Sequence, residues 1–467
     1  MKDLRQWIEN LEKEAPGELV RVSKSVDPDR FEASAIMHQL ESRELYPAVL
    51  FENPKVMMGE NPGFRILMNT FGNLKKISVA MGLSPESPRT RLMEAMLQRQ
   101  GGELDVTIVD TASAPVRENV LSGDEVDLNI LPLVRHVEMD GERYLTPIVV
   151  SKNLTTGRYN ISWNRQMYLD SKHLAIYMSP RHLWTYFAEA ENAKKNLPVA
   201  LVLGHHPAFH MTGALLCPLD TDEYKVAGHV LGESIRVTPS TYYGEDLYIP
   251  ADAEIVVEGE VVANHRTVEG PFGEYLGYSG SQRVSWLFEA KAINFRSKGI
   301  IIDIFPCMTE HRNAHLPIEA SIFRTVKQAA PSVIQTNWIH SGGPLTIVIQ
   351  MKKQVEGEPM RAAMSAFTTS NFIKIVIVVD EDIDPTDLKE VMWAVSTRVQ
   401  PNRDIQILNG LQGQMLDPSI TEEEIIGSGM IIDATKPLGR PFPRRGRVPA
   451  EVLQKVRLED YLSTRPG

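Results

Sequence analysis

Apolar and polar positions along the chain predict a helix at its start and strands through its middle. Over residues 2–14, apolar side chains recur with helical spacing, which predicts a surface helix packed by one face. Runs rich in β-branched residues, bounded by Gly, Pro or Asp, occupy 199–207, 253–262 and 299–305. Such runs predict strands, so we expect the middle of the chain to be rich in sheet.

A second block of elements follows a predicted crossover helix. The segment 317–331 opens with one proline and closes with another, which predicts a helix that crosses between two units. Strand and helix patterns then alternate, in the order 345–351, 358–368, 374–384 and 387–398. This alternation predicts a parallel α/β layer. The pattern at 449–462 predicts a final amphipathic helix.

Composition excludes several classes of protein. The 49 Lys and Arg residues against 60 Asp and Glu residues give a net charge of −11, which argues against nucleic acid or an anionic membrane as the main partner. No apolar run approaches the ~20 residues of a membrane span, and the charged N-terminus does not resemble a secretory signal. Only two cysteines, Cys217 and Cys307, are present, so we expect a protein of the reducing cytoplasm.

The segment EGPFGE, from Glu269 to Glu274, is the most informative for chemistry. Two carboxylates five residues apart would diverge by ~140° on a helix of ~100° per residue. Pro271, between Gly270 and Gly273, excludes regular helix and favours a tight loop. Such a loop could bring both carboxylates to one point, where a close pair raises one pKa, as a general acid near neutrality requires. The alternative is a hairpin loop with two solvated glutamates.

A second candidate segment, NISWNR, runs from Asn160 to Arg165 after a strand-like stretch. Its amide and hydroxyl groups, including that of Ser162, can hold an anion or a cofactor phosphate. Arg165 can bind a carboxylate through two hydrogen bonds. The alternative is a polar edge strand with an exposed arginine.

Two later positions add possible metal ligands. Arg181 and His182 follow Ser-Pro at a predicted helix start, where anions are favoured and an imidazole can bind a metal. Glu223 begins another helical stretch. Asn160, His182 and Glu223 together form a set of hard O and N ligands for a divalent cation. The alternative for each is a helix cap or a solvated charge.

Lys374 lies in an otherwise apolar strand pattern. A buried Lys needs an anionic partner, for which a cofactor phosphate is one candidate. No GxGxxG, Walker A or CxxC pattern occurs, so the sequence lacks the ordinary nucleotide and zinc signatures.

Taken in order, these segments resemble the UbiD family of prenylated-flavin-dependent decarboxylases over about residues 110–435. The motifs shared with that family start at Asn160, His182, Glu223, Glu269 and Ile383. They are an Asn-x-Gly/Ser-x-x-Arg stretch, a His after a Ser-x-x turn, a Glu-Tyr pair, an EGP[FY]G[ED] loop and the C-terminal pattern IDxxDxxxVMWAxxTR. Each motif is weak alone, but five in the family's order are highly specific.

The resemblance implies a prenylated FMN, held by its phosphate through Mn²⁺ or Mg²⁺ and a monovalent cation such as K⁺. The metal ligands would be Asn160, His182 and Glu223. The implied cofactor-binding residues are Asn160, Ser162, Trp163, Arg165, Arg181, His182, Glu223 and Lys374. Several relatives carry Gln where Arg181 stands, so its guanidinium either adds a phosphate contact or changes the edge of the isoalloxazine.

The same resemblance implies a reaction driven by the cofactor, for which the protein supplies binding, orientation and electrostatics. Arg165 would hold the substrate carboxylate or the charge that develops as it leaves. Glu269 would orient Arg165. Glu274 would hand a proton to the carbon after CO₂ has gone, which requires a raised pKa.

From the resemblance we expect a reversible, non-oxidative decarboxylase of a small aromatic, heteroaromatic or α,β-unsaturated acid. His311, Arg312 and His315 would line the substrate site and suit a doubly carboxylated ring such as a furan dicarboxylate. Alternatively, these side chains rim the cleft between domains. Two other classes stay open: a flavin-independent hydrolase that uses the three metal ligands with an activated water, and a cofactor-loaded, non-catalytic subunit of a multi-component carboxylase.

The fold implied is of the α/β class. An N-terminal flavin-binding domain resembling a split β-barrel with flanking helices would occupy 1–306, and a linker helix 307–331. A smaller C-terminal α/β oligomerisation domain would occupy 332–440, and a tail helix 441–467. Relatives form dimers or higher multiples, so we expect a homodimer or homohexamer, with a separate flavin prenyltransferase as the cofactor supplier.

Overall fold

The N-terminal strands form a sheet that is completed by a strand from the middle of the chain. A computed structural model describes residues 2–274, 276–420 and 426–461. In spatial order, this first sheet contains Leu19–Val22, Ala48–Phe51, Arg65–Met68 and Ile300–Asp303. The strand predicted at 299–305 is therefore confirmed. Its parallel pairing with Arg65–Met68 joins two distant parts of the chain.

An antiparallel sheet forms the largest layer. Its strands, in spatial order, are Tyr144–Leu145, Gln166–Tyr168, His173–Ile176, Arg283–Phe295, Ile255–Glu269, Leu197–Val202, Ile148–Lys152 and Tyr159–Trp163, and Asn119–Ser122 pairs with Arg283–Phe295. Neighbouring residues of a strand point to opposite faces, and here Val149 lies in one hydrophobic core and Val150 in another. Burial on both faces explains why residues 199–203 are continuously apolar. The strand Leu197–Val202 ends before the predicted limit at 207.

The two longest strands extend beyond the core and carry part of the candidate site. The strand predicted at 253–262 continues as Ile255–Glu269, alongside Arg283–Phe295. Residues 262–268 are half-buried or exposed, so the apolar pattern alone did not indicate them. This extension places Glu269 at the end of the hairpin, beside a short pair formed by Phe272–Gly273 and Ser279–Gly280.

Helices cover these sheets. The predicted first helix is present as Leu4–Glu14, which buries its apolar face and is capped by Asp3, whose side chain accepts from the Gln6 N–H at 2.8 Å. The following helices are Glu32–Glu41, Leu74–Ala80, Arg89–Gln100, His182–Asn192, Pro207–Thr212, Glu223–Leu231 and Thr309–Ala314. Short 3₁₀ helices occupy Pro28–Arg30, Thr111–Ser113, Pro115–Arg117, Gly123–Glu125 and Leu128–Ile130. A small sheet of Gly244–Pro250, Arg236–Ser240 and Thr107–Ile108 completes this part of the molecule.

The predicted crossover helix is present as Leu316–Ala329 and leads into a separate sheet. In spatial order, that sheet contains Val333–Trp338, Thr346–Met351, Ile375–Asp380, Ile426–Ala434 and Ile405–Gln412. Its three middle strands run parallel, which confirms the predicted layer, whereas both outer strands are antiparallel to their neighbours. The helices of this part are Glu358–Phe367, Leu388–Arg398 and Pro401–Asp404, and a 3₁₀ helix covers His340–Leu345.

The C-terminal segment forms less helix than predicted. Within 449–462, the structure has the helix Ala450–Lys455 and the 3₁₀ helix Leu458–Asp460, and residues 462–467 lie outside the described part. The two large sheets with their flanking helices confirm the predicted α/β class. Across the described ranges, no helix is long and apolar enough to cross a membrane.

Candidate active site

Three charged side chains that the sequence singled out meet in one buried cluster, the charged triad of Arg165, Glu269 and Glu274. Arg165 donates from Nε and Nη2 to the two oxygens of Glu269, at 2.7 and 3.1 Å. Its Nη1 donates to Glu274 at 2.5 Å. The Glu269 side chain is fully buried, and those of Arg165 and Glu274 are only 10% and 8% exposed. The alternative of two solvated glutamates is therefore wrong.

The backbone places the triad where strands end. Glu269 is the last residue of Ile255–Glu269, and Glu274 directly follows the short strand Phe272–Gly273. The Gly270–Pro271 peptide bond between them is cis, and Gly270 has a φ of 91°, which glycine adopts readily. Arg165 lies in the tight connection between Tyr159–Trp163 and Gln166–Tyr168. One curled loop and one turn thus bring both carboxylates to the same guanidinium.

The segment Asp140–Tyr144, which the sequence did not single out, forms hydrogen bonds with the loop that carries Glu269 and Glu274. The Gly141 N–H and the Tyr144 hydroxyl both donate to the Pro271 carbonyl, at 2.8 and 2.9 Å. The Gly273 N–H donates to Asp140 Oδ1 at 3.0 Å. The Asp140-Gly141 pair could have indicated this segment from the sequence, because Asp-Gly is typical of a turn and its carboxylate can accept hydrogen bonds. We call Asp140–Tyr144 the brace, and the segment 269–274 that it contacts the glutamate loop.

We expect Gly141→Ala to loosen this brace. A Cβ at Gly141 would lie 2.3 Å from the Gly270 carbonyl oxygen, so one backbone segment must move. Overpacking of this kind destabilises by about 1–3 kcal/mol, and here it would also displace the glutamates, so both the free energy of unfolding from urea denaturation and the turnover rate should fall. The control is Gly439→Ala, where nothing lies within 4 Å of the added carbon. Equal behaviour of the two variants would contradict the role of the brace.

The surroundings of the triad favour a charged Arg165 and raise the pKa of Glu274. Burial opposes the charge on Arg165, but the carboxylates of Glu274 and Glu269 outweigh it and raise its pKa. The rings of Tyr177 and Phe272 each lie 4.7 Å from Cζ of Arg165 and add cation–π contacts. Burial also raises the pKa of Glu274, against the opposing charge of Arg165. A carboxyl that retains its proton closer to neutrality can serve as a general acid.

The three predicted metal ligands also meet, in what we call the ligand cluster. Glu223 Oε2 accepts from Asn160 Nδ2 at 2.8 Å and from the Ile161 N–H at 2.6 Å, and His182 Nδ1 lies 2.9 Å from Glu223 Oε1. His182 and Glu223 are the first residues of their helices. Asn160 and Glu223 are buried, so the alternative of a solvated charge does not apply to Glu223. In the described ranges, no group of three or more His, Cys, Asp or Glu side chains is arranged to hold a metal ion.

The other predicted cofactor residues of this region flank the ligand cluster. The Ser162 hydroxyl donates to Asn160 Oδ1 at 3.2 Å and to Asn164 Oδ1 at 2.7 Å. The indole N–H of Trp163 is buried with no hydrogen-bond partner in the part of the chain that the structure describes. Arg181 is exposed and occupies the N-cap position of the helix that begins with His182. Ser162 therefore contacts Asn160 directly, and Arg181 precedes His182 in the chain.

The structure pairs Lys374 with polar side chains of its own domain. Its Nζ lies 2.8 Å from Asp417 and 2.6 Å from the Ser419 hydroxyl, and its side chain is 35% exposed. It precedes the strand Ile375–Asp380 of the C-terminal sheet. The anionic partner is thus a carboxylate of the same domain, and no hydrogen bond or ion pair within the described chain joins Lys374 to the charged triad or the ligand cluster. The apolar sequence around it had suggested burial that the side chain does not have.

The residues predicted to line the substrate site lie around the start of the linker helix. His315 Nδ1 is 2.9 Å from the His311 carbonyl, and their ring centroids are 5.5 Å apart. Burial, followed by the charges of His315, Arg312 and Arg165, lowers the pKa of His311 well below its usual value. Burial also lowers the pKa of His315, and the charge of Arg181 adds to this effect. Both shifts favour the neutral imidazoles, and Arg165 and Arg181 are close enough to contribute to them.

A buried acidic residue beside these histidines escaped the sequence analysis. Glu310 accepts from the Asn69 N–H at 2.8 Å and from the Phe71 N–H at 3.3 Å, and burial raises its pKa to about 8. Nearby, His136 Nε2 lies 2.7 Å from Asp303. Burial disfavours the imidazolium, but Asp303 and Asp140 outweigh it and raise the pKa of His136 to about 9. Spacing could not indicate these pairs because their members are far apart in sequence.

These two groups make stability depend on pH. Between pH 6.5 and 8, folded His136 and Glu310 hold protons that the unfolded chain has released, so stability present at pH 6.5 is lost as the pH rises. Each contributes about 1.5 kcal/mol over that interval. Urea denaturation at pH 6.5, 7.25 and 8 should show a falling free energy of unfolding, with a shallower fall in His136→Gln. A flat or rising profile in the wild type would contradict these assignments.

The chain matches known proteins along nearly all of its length. The chain matches family models described as the N-terminal, Rift-related and C-terminal domains of 3-octaprenyl-4-hydroxybenzoate carboxy-lyase, over residues 10–96, 107–309 and 311–434. It is 30% identical to a phenolic acid decarboxylase of Streptomyces sp. (strain D7), over 97% of this chain and 96% of that protein. It is 32% identical to an anhydromevalonate phosphate decarboxylase of Methanothermobacter thermautotrophicus, over 67% and 74%.

A solved structure is similar over nearly its whole length. The UbiD-class enzyme HmfF from Pelotomaculum thermopropionicum, determined in complex with FMN, superposes with a TM-score of 0.90 at 32% sequence identity. The match covers 98% of this chain and 100% of that one. The similarity therefore extends through both sheets and the linker helix between them.

Proposed function

Because the chain belongs to the UbiD family of carboxy-lyases, we propose that it is a prenylated-FMN-dependent decarboxylase of a small aromatic, heteroaromatic or α,β-unsaturated acid. The observation that carries the proposal is the buried charged triad, in which one guanidinium joins a fixed carboxylate and a carboxyl of raised pKa. The reaction is non-oxidative and reversible in this proposal. Solved relatives in complex with FMN and with prFMN support the choice of cofactor.

The ligand cluster fits the metal that such a cofactor requires. Its donor groups are an amide oxygen, an imidazole nitrogen and a carboxylate, which suit Mn²⁺ or Mg²⁺. Asn160, His182 and Glu223 would hold this ion, with Ser162, Trp163 and Arg181 around the flavin phosphate and K⁺ as the monovalent cation. When bound, prenylated FMN supplies a nucleophilic carbon and accepts the electrons that the carboxylate carbon gives up.

Each residue of the charged triad has a separate role in the proposed reaction. Arg165 binds the substrate carboxylate with the N–H groups that point away from Glu269, and it stabilises the charge that develops as CO₂ leaves. Glu269 fixes the orientation of Arg165 through two hydrogen bonds. Glu274 holds a proton and delivers it to the substrate carbon once CO₂ has gone.

A furan dicarboxylate is the favoured type of substrate. His311, Arg312 and His315 provide polar groups beside the triad, and the Arg312 guanidinium has only Glu41, at 3.7 Å, as a charged neighbour within salt-bridge distance in the described chain. A second carboxylate on the ring would satisfy this cation. Arg312 and His315 also line a cavity against Trp338 of the C-terminal sheet, so the rim of the cleft between domains is the competing assignment.

The proposal also covers the supply of the cofactor, the oligomeric state and the division into domains. Cofactor supply requires a flavin prenyltransferase in the same cytoplasm, and assembly as a homodimer or homohexamer would use the C-terminal sheet. In domain terms, we propose a catalytic unit at 1–306, a linker at 307–331, an oligomerisation domain at 332–440 and a tail at 441–467.

Coexpression with a flavin prenyltransferase tests the function. The purified protein should release CO₂ from at least one member of a panel of furan, pyrrole, indole, hydroxybenzoate and cinnamate acids, whereas protein made without the prenyltransferase should not. Full activity in a colourless protein would instead indicate a metal-dependent hydrolase. Cofactor-loaded protein that turns over only with an added partner protein would indicate a subunit of a multi-component enzyme.

A further inference from the structure

A second arginine lies at the edge of the charged triad. Arg283 is the first residue of Arg283–Phe295 and pairs across the sheet with Glu269, so the two side chains share a face. Its Cζ lies 4.7 Å from the centroid of the Tyr177 ring, the same ring that Arg165 contacts at 4.7 Å. Arg283 is half-buried, whereas Arg165 is almost fully buried. Arg283 is therefore the more exposed of the two arginines.

Arg283 is also close to the proposed proton donor. A Cβ at Gly280 would lie 3.3 Å from Glu274 Oε1 and 3.4 Å from Arg283 Nη2, so these two atoms are less than 7 Å apart. Glycine at position 280 leaves the space between the two side chains open.

The two arginines differ in the hydrogen-bonding groups that they can offer to a ligand. Arg165 already uses Nε, Nη1 and Nη2 on the two glutamates, so its bidentate edge is occupied by Glu269. The Arg283 guanidinium makes no hydrogen bond or ion pair with any other part of the described chain. A planar guanidinium matches a carboxylate through two parallel hydrogen bonds. Of the two, only Arg283 has that edge available.

We propose that Arg283 is the residue that binds the carboxylate of the incoming acid at the mouth of the active site, before the acid reaches Arg165. Tyr177 holds Arg283 in place through the face of its ring. This inference rests on the proposed function, because it assumes an anionic substrate that approaches the triad from the solvent side. It assigns Arg283 to substrate binding and leaves the chemical step to the triad.

The test compares Arg283→Gln and Arg283→Lys in cofactor-loaded protein, with the acid that the wild type decarboxylates fastest. The control is Arg266→Gln on the neighbouring strand. Arg266 is exposed and also lies over an aromatic ring, but it is ion-paired with Glu191 at 2.7 Å. Steady-state kinetics at low and high salt and the flavin absorbance are measured for each variant.

We expect Arg283→Gln to raise KM about tenfold, since a charge-assisted hydrogen bond is lost, while kcat changes by less than about twofold and flavin content stays the same. The salt dependence of kcat/KM should weaken, because part of the attraction for the acid is gone. Arg283→Lys should recover part of the KM effect, and Arg266→Gln should match the wild type.

Either of two kinetic results would overturn the inference. One is an unchanged KM and salt dependence in Arg283→Gln. The other is a loss of kcat with a shifted pH profile at unchanged KM, which would mean that Arg283 acts only through the charge that it places near Glu274. If the wild type releases CO₂ from no acid, the proposed function fails, and calorimetric binding of furan-2,5-dicarboxylate then decides the inference separately. Equal affinity in the wild type and Arg283→Gln would overturn it.

Discussion

Glu274→Gln should abolish decarboxylation while the protein keeps its cofactor. The glutamine retains the shape of the side chain and can still accept a hydrogen bond from Arg165, but it has no acidic proton to deliver. A positioned general acid contributes about 10²–10⁴-fold in rate, so we expect kcat to fall at least about 100-fold. Glu274 lies outside the ligand cluster, and flavin content should therefore not change.

This result is measured as CO₂ release together with the flavin absorbance of the purified protein. The control is Glu245→Gln, at an exposed position of the strand Gly244–Pro250, which should behave as the wild type. If Glu274→Gln turns over at the wild-type rate, Glu274 is not the proton donor.

Glu223→Ala should remove both the metal and the flavin. Glu223 accepts hydrogen bonds from Asn160 and the Ile161 N–H and contacts His182, so its loss takes away one ligand and releases the other two. Loss of a group that merely orients a metal ligand already weakens affinity about 10–100-fold. We therefore expect a colourless protein at least about 100-fold weaker in cofactor retention.

Metal analysis and flavin absorbance after gel filtration check this expectation. Asp220→Ala is a suitable control. Asp220 is close to Glu223 in the sequence, but its carboxylate is exposed and its ion-pair partner is Arg158, at 3.7 Å. Full flavin retention in Glu223→Ala would exclude Glu223 as a ligand.

The sequence predicted much of the site because its residues lie in short motifs with local structural meaning. The EGPFGE segment combined two carboxylates with glycines and a proline, and the structure folds it into the curled loop that those residues favour. Predicted helix starts likewise placed His182 and Glu223 at the positions where the structure has them.

The remaining features depend on contacts between distant parts of the chain. The brace at Asp140–Tyr144 acts on a loop about 130 residues away, and Glu310 is satisfied by backbone N–H groups of residues 69 and 71. Neither contact follows a hydrophobic period or a short motif spacing, so the sequence does not indicate it. The contact of Lys374 with Asp417 was missed for a related reason. An apolar strand pattern predicts that a side chain is buried, but it does not identify the residue that the fold brings close.

Hydrogen exchange on the reaction product tests the central claim most directly. The product of the preferred acid is incubated in D₂O with cofactor-loaded protein and followed by NMR at the carbon that had carried the carboxylate. We predict exchange of that hydrogen for deuterium with the wild type, and none with Glu274→Gln or with protein lacking the prenylated flavin. Exchange that persists in either of these two proteins, or its absence in a wild type that releases CO₂, would contradict the account.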